Sequence, residues 1–419
     1  IMTALTPPYG PAHLSIPIDI LRSELLNPQP QYDLKKLLQK PSLLDDGAIQ
    51  NLWNTIRHSR KPVFVLGAGA HEASQLIIEL ADSLQAPILT TPDGKGLVSP
   101  YHPLFKGVIG FAGHKTASET LVNPDVDSII AIGTLLSEWT SNGWDTRTIL
   151  NDRLIHVDSV EPNLTHTPMA KMHVRGNISV IFETLLDRAY QEGLIRPTPI
   201  IPEQPSSAWS DRKSQIEQGK HFELDDERSY YNDAIPIRPQ WLMHRLAQLF
   251  PSHTKFIADT GNSVAWSIHY LHPYDRRMRE RRGPKRKDHG RRTGQGAIFQ
   301  CALEFASMGW AIGNAVGAAL AAPNDPVVCL TGDGSILMSG QEVTVAQELG
   351  LNVIFVILND SQLGMVRHGQ IMGEAEEIGT DLPKINFAKM AQAMGVASHR
   401  IESAFDLKEL SIDLLCQRG

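Results

Sequence analysis

Asp333 lies between two glycines at the end of an apolar run, Pro326-Val-Val-Cys-Leu-Thr-Gly-Asp-Gly-Ser335, and Asp360 follows Asn359 at the end of the next one. Twenty-four residues separate Gly334 from Asn359. Two carboxylates presented together suit a hard cation such as Mg²⁺, which takes carboxylate, carbonyl and phosphate oxygens in octahedral geometry. Gly332 and Gly334 let backbone amides come close to an anion. A bare diphosphate would be repelled by the two acids, and a Mg²⁺ ion between them removes that conflict. The chemistry to expect is a metal–diphosphate site; the plainer reading is that Gly-Asp-Gly is a turn and Asn-Asp a strand end.

Positioning these residues takes a βαβ unit. Val327 to Thr331 and Asn352 to Leu358 read as short buried parallel strands. Between them, residues 340–349 place Val343, Ala346 and Leu349 at helical spacing, and Gly350 stops the helix. A right-handed crossover brings the loops after Thr331 and Leu358 to one carboxyl edge, where a helix N-terminus adds its attraction for an anion.

Taken together, the residues resemble the thiamine-diphosphate family of acetolactate synthases and related 2-oxo acid decarboxylases, whose metal motif is Gly-Asp-Gly followed at a similar spacing by Asn. Three further stretches carry the likeness: Asp259-Thr-Gly-Asn-Ser-Val-Ala-Trp266, Ala306-Ser-Met-Gly-Trp310 and Gln362-Leu-Gly-Met-Val366. The resemblance implies that Asp333, Asp360 and the backbone carbonyl of Gln362 hold Mg²⁺. It implies that Thr260, Gly261, Asn262, Ser263, Gly332, Gly334 and Ser335 hold the diphosphate of thiamine diphosphate. Ala306 would offer its carbonyl to the aminopyrimidine, Met308 would bend the cofactor from below, and Gly364 and Met365 would lie along it. Asp360 stands where the family more often has Asn. For Met308 the alternative is ordinary core packing.

The chain has 419 residues, 42 % of them apolar, and a net charge of −7. That length supports two or three domains, and the acidic balance argues against a nucleic-acid partner. No apolar run is long enough for a membrane span. Cys301, Cys329 and Cys416 are too scattered for a disulfide framework, which suits a reducing, cytoplasmic setting. The fold expected is α/β, with two doubly wound parallel-sheet domains. A Rossmann-like central domain takes residues 44–195 and a diphosphate- and Mg-binding domain residues 236–419, with linkers at 26–43 and 196–235. Residues 1–25 read as the remnant of an N-terminal pyrimidine-binding α/β domain, with Tyr9 to Ile20 as its closing strand. The family's activating glutamate is expected upstream of Ile1, and the last family strand beyond Gly419.

In the central domain, Pro62 to Leu66 reads as a strand, Gly67-Ala-Gly69 as a tight turn and His71 to Leu84 as a helix, with further strands at 87–91, 127–132 and 154–158. The Gly-x-Gly turn is open to two readings, dinucleotide binding or plain helix packing. His102 to Phe105, Gly107 to Gly110 and Gly113 resemble the family domain that holds a structural FAD in acetolactate synthases. The arginine expected near that flavin is absent from Gly133-Thr-Leu-Leu-Ser137, which puts FAD in doubt. Asp158 reads either as a ribose-binding acid or as a solvated carboxylate. The run Arg276 to Arg292 holds eight Arg and two Lys; it reads as a solvated insertion, with a phosphate or coenzyme A contact, or a flap over the cofactor, as the alternative.

The resemblance implies an enzyme that decarboxylates a 2-oxo acid and joins the remainder to an acceptor carbonyl, in a homodimer or homotetramer with sites between chains. The alternatives are a non-ligating decarboxylase and a cofactor-binding homologue without turnover. His368 and Gly369 replace the Gln-Trp pair that lines the family's acceptor pocket. His368 is accordingly either a proton donor or carboxylate binder, or a surface histidine.

Overall fold

A computed structural model describes residues 12–24, 45–194, 219–251, 253–273, 298–408 and 410. Two parallel sheets organise them. In the first, β1 (Pro62–Leu66), β2 (Ile88–Thr90), β3 (Phe105–Val108), β4 (Ser128–Ile132), β5 (Leu154–Asp158) and β6 (Met172–Arg175) stand in the order β3-β2-β1-β4-β5-β6. This is the doubly wound arrangement expected of strands alternating with helices. Both faces are covered, so β1 is apolar throughout. Phe64 and Leu66 pack with the helices Asp46–His58, Ser74–Leu84 and Ile178–Gln191, while Val63 and Val65 pack with Ala117 and Leu121 on the opposite face.

The second sheet contains β7 (Lys255–Ala258), β8 (Phe299–Cys301), β9 (Val327–Gly332) and β10 (Val353–Leu358), in the order β10-β9-β7-β8 and all parallel. Its alternation places Val328 and Leu330 with the helices Pro239–Leu249 and Asn262–Tyr270, and Val327 and Cys329 with the helix Trp310–Ala321. The register Leu358↔Gly332 and Ala258↔Leu330 sets the ends of β7, β9 and β10 side by side. Asp259, Asp333 and Asp360 all leave the sheet at that edge.

Several sequence expectations are corrected. The helix assigned to 340–349 is the second half of a broken element: a helix over Asp333–Ser339, a 3₁₀ turn over Gly340–Glu342, and a helix over Val343–Glu348. Leu349 lies outside it and is exposed, while Gly350 takes φ 57°, as a helix-ending glycine does. Likewise Ser74–Leu84 is the helix and Ala68–Ala70 a 3₁₀ turn. Strand β10 is half-buried rather than buried, because it is an edge strand paired only with β9 among the described residues. Residues 18–22 form a short exposed helix where a strand was expected to close, and residues 1–11 lie outside the described residues.

Much of the proposed linker 196–235 also lies outside them, but within residues 219–230 the chain is anchored by buried side chains. Phe222 and Tyr230 are buried, and Phe222 meets Phe105, His114 and His272 edge-on or tilted. This segment helps join the two sheets. At the same junction His114 stacks on His269 at 4.7 Å and donates through Nε2 to the His269 carbonyl at 3.1 Å. Burial holds both imidazoles below the ordinary histidine pKa, so both pack as neutral rings. The basic run Arg276 to Arg292 and the linker 26–43 lie outside the described residues.

Candidate functional site

Asp333 follows β9 and begins the next helix, and the residue is 4 % exposed. Its Oδ1 accepts from the Gly334 amide at 2.8 Å and its Oδ2 from the Ser361 amide at 2.6 Å. One acid therefore ties the turn after β9 to the loop after β10. Burial raises its pKa, and the negative charge of Asp360 adds to the shift. The Ser361 amide that Asp333 holds belongs to the residue next to Asp360, so the two acids stand on adjoining turns. Asp360 is exposed, and its Oδ1 accepts from the Gln362 amide at 3.1 Å, turning the Gln362 backbone back towards the sheet edge.

The other strand ends converge here too. A Cβ placed on Gly364 would lie 2.4 Å from Asn262 Nδ2 and 3.3 Å from Asp360 Oδ2, so the loops after β7 and β10 meet at that glycine. A Cβ on Gly334 would lie 2.8 Å from a Leu363 methyl and 2.9 Å from the Met308 methyl. Met308 thus reaches the turn that carries Asp333 from the segment before the helix Trp310–Ala321. Cβ positions on Gly261 and Gly332 meet nothing within 4 Å, which leaves open space over both.

Three features bear on whether a metal–diphosphate fits. Ser335 is fully buried, and its hydroxyl has no hydrogen-bond partner, a cost that a phosphate oxygen would remove. Two non-glycine residues beside the site, Ala306 and Ser361, take left-handed backbone at φ 51° and 59°. Each such residue costs about 1 kcal/mol, and strain of this kind gathers where function over-determines the backbone. Finally, no group of three His, Cys, Asp or Glu side chains forms a metal cluster among the described residues. Two carboxylates and a backbone carbonyl suit Mg²⁺, which leaves its other positions to water and ligand phosphate, better than they suit zinc. The residues fit the group.

The remaining sequence candidates fall around this centre with distinct parts. Ser263 is buried and its hydroxyl donates to the Asp259 carbonyl at 2.7 Å; the Thr260 amide donates to Asp259 Oδ1 at 2.9 Å. Gly364 and Met365 open the helix Gly364–Met372, and His368 is exposed one turn further on. Sequence reasoning missed Asp259 itself, Thr331, Ser361 and the apolar pair Leu363 and Leu382 over Gly334. Asp259 opens the stretch to Trp266 that carries the resemblance, but that likeness assigns it no part of its own.

The central sheet offers less. At the Gly67 turn the amides of Gly67 and Gly69 donate to the carbonyls of Ile132 and Gly133 at 2.9 Å, and the Ala68 amide faces the Asp93 carboxylate at 3.4 Å. A Cβ on Gly67 would stand 2.4 Å from the Gly133 carbonyl oxygen. The glycines serve close packing, and a phosphate would find the amides taken. Asp158 is buried, accepting from the Val160 amide at 2.7 Å and Asn163 Nδ2 at 3.1 Å, so it closes a turn rather than standing in solvent.

Residues 49–185 match the family described as thiamine pyrophosphate enzyme, central domain, and residues 290–417 match thiamine pyrophosphate enzyme, C-terminal TPP binding domain. The chain is 26 % identical over 407 residues to the acetolactate synthase isozyme 3 large subunit of Escherichia coli, covering 95 % of this chain and 65 % of that protein. Against the acetolactate synthase large subunit of Haemophilus influenzae the figures are 26 % over 408 residues, 95 % and 65 %. Against that of Cyanidium caldarium they are 25 % over 365 residues, 86 % and 56 %. The chain spans about two thirds of the length of the first two and less of the third.

Proposed function

Since this chain belongs to the thiamine pyrophosphate enzymes, carrying their central and C-terminal domains, we propose that it takes part in converting 2-oxo acids with Mg²⁺ and thiamine diphosphate, in the manner of an acetolactate synthase. The observation that carries this reading is the tie between Asp333 and the loop of Asp360, over a turn whose Ser335 hydroxyl is buried without a partner. When bound, the cofactor supplies an electron sink for loss of carbon dioxide from the 2-oxo acid. This chain's part is to hold and orient. Asp333, Asp360 and the Gln362 carbonyl would take the ion; Asn262, Gly261, Gly334 and Ser335 would take phosphate oxygens; Met308 and Leu363 cover Gly334 and keep water from that side of the turn.

Ligation to an acceptor carbonyl is the favoured outcome, as the relatives' names suggest, with simple decarboxylation the alternative. Gly369 faces open space and His368 is exposed, which favours a wide acceptor side. Phe305 at 92 %, Met372 at 85 % and Ile378 at 70 % exposure are large apolar side chains left open in the segments that follow or precede site residues, and we place a second copy of the chain against them.

Mg²⁺ and thiamine diphosphate are expected to bind together, each strengthening the other. Calorimetric titration of the cofactor with and without Mg²⁺ checks this, and equal affinity in the two conditions would sink the reading. The central domain is expected to carry no flavin, since its glycine turn has its amides engaged. A near-stoichiometric flavin band in the visible spectrum of the purified protein would overturn that.

A further inference from the structure

Asp259 is fully buried at the end of β7, and its carboxylate receives donors from three separate segments. The Thr260 amide donates to Oδ1 at 2.9 Å, at the start of the loop that carries Gly261 and Asn262. The Gly309 amide lies 3.1 Å from both oxygens, and the Ala311 amide 3.5 Å from Oδ1, just after Ala306 and Met308. The Thr331 hydroxyl donates to Oδ2 at 2.8 Å, two residues before Asp333. A buried carboxylate needs this many donors to offset its lost hydration, so its position is set by all three segments at once, and it sets theirs.

We infer that Asp259 is a positioning residue that fixes the spacing between the loop and turn proposed to hold the diphosphate and the segment proposed to hold the pyrimidine. The inference rests on the proposed cofactor site. A ligand held at both ends is sensitive to that spacing, whereas a fragment held at one end is not.

Asp259→Asn keeps the size and one acceptor oxygen, which can still serve Thr260. Its amide group then stands in place of Oδ2, so the Gly309 amide keeps only one of the two oxygens it faced and the Thr331 hydroxyl loses its acceptor. Thr331→Val removes the third tie alone and guards against a first variant that fails to fold. Calorimetry on the whole chain, with Mg²⁺ present, would compare thiamine diphosphate with inorganic diphosphate, alongside the unfolding midpoint of each variant. The expected result is at least a tenfold loss for thiamine diphosphate in Asp259→Asn and at least a threefold loss in Thr331→Val. Inorganic diphosphate should change less than threefold in the first variant and not measurably in the second. Equal losses for both ligands would mean that Asp259 only supports the fold, and unchanged thiamine diphosphate affinity would remove any positioning role; either overturns the inference. Failure of the unsubstituted chain to bind thiamine diphosphate would overturn the proposed site as well, which separates the two.

Discussion

Replacing Asp333 with alanine is expected to lower the affinity for Mg²⁺ and thiamine diphosphate by at least a hundredfold, about 2.7 kcal/mol. Two losses combine. The ion loses its most firmly placed carboxylate, whose oxygens are already fixed by the Gly334 and Ser361 amides. The Ser361 amide also loses its acceptor, so nothing from β9 holds the strained backbone that leads into Gln362. Asp360→Asn should behave differently. It keeps an oxygen ligand, restores the residue commoner in the resembling family, and removes a charge that disfavours ionised Asp333. Titration of both variants with Mg²⁺ and cofactor decides the matter, and retained binding in Asp333→Ala would show that the ion is held elsewhere.

The pH dependence follows from the same acid. Burial first, and the Asp360 charge after it, raise the folded pKa of Asp333 above that of the unfolded chain. For a raised carboxyl the stabilising contribution is full below the unfolded pKa and is lost as pH rises through the folded one. Above that raised pKa the metal-free protein bears an ionised acid that burial disfavours, and a bound Mg²⁺ would relieve it. As pH falls through the raised pKa of Asp333, protons compete with the ion, and Mg²⁺ affinity should fall.

What the sequence made legible was what local pattern encodes. Val327 to Gly332 and Val353 to Leu358 are apolar runs closed by glycine or Asn-Asp, and both strands appear within a residue of their expected bounds. The spacing of Gly334 and Asn359 fits a single crossover, and the register Leu358↔Gly332 bears that out. Illegible features depend on partners far along the chain. Nothing near Asp259 announces donors at Gly309 and Thr331. Edge position, which leaves β10 half-buried, depends on which strands pair rather than on the strand's own residues. Phe222 reads as one apolar residue in a polar stretch, and only the packing of Phe105, His114 and His272 around it makes it part of a junction.

Gly309→Ala is the substitution in which such a hidden constraint should be felt most. Gly309 has φ 86°, in the left-handed region, which costs a side-chain-bearing residue roughly 1–2 kcal/mol. Its added Cβ would also stand 2.3 Å from Ser339 Oγ and 2.8 Å from Ser339 Cβ. Relief of that overlap by moving the chain should cost about another 1–3 kcal/mol. The motion available draws the Gly309 amide away from Asp259, so the segment of Ala306 and Met308 should shift with it. Denaturant unfolding should thus show a loss of roughly 2–5 kcal/mol, with weaker cofactor binding in the fraction that remains folded. Adding Ser339→Gly removes both atoms that the new Cβ meets but leaves the backbone strain. The double variant should recover about half of the lost stability, and recovery of none would locate the whole cost in the left-handed backbone.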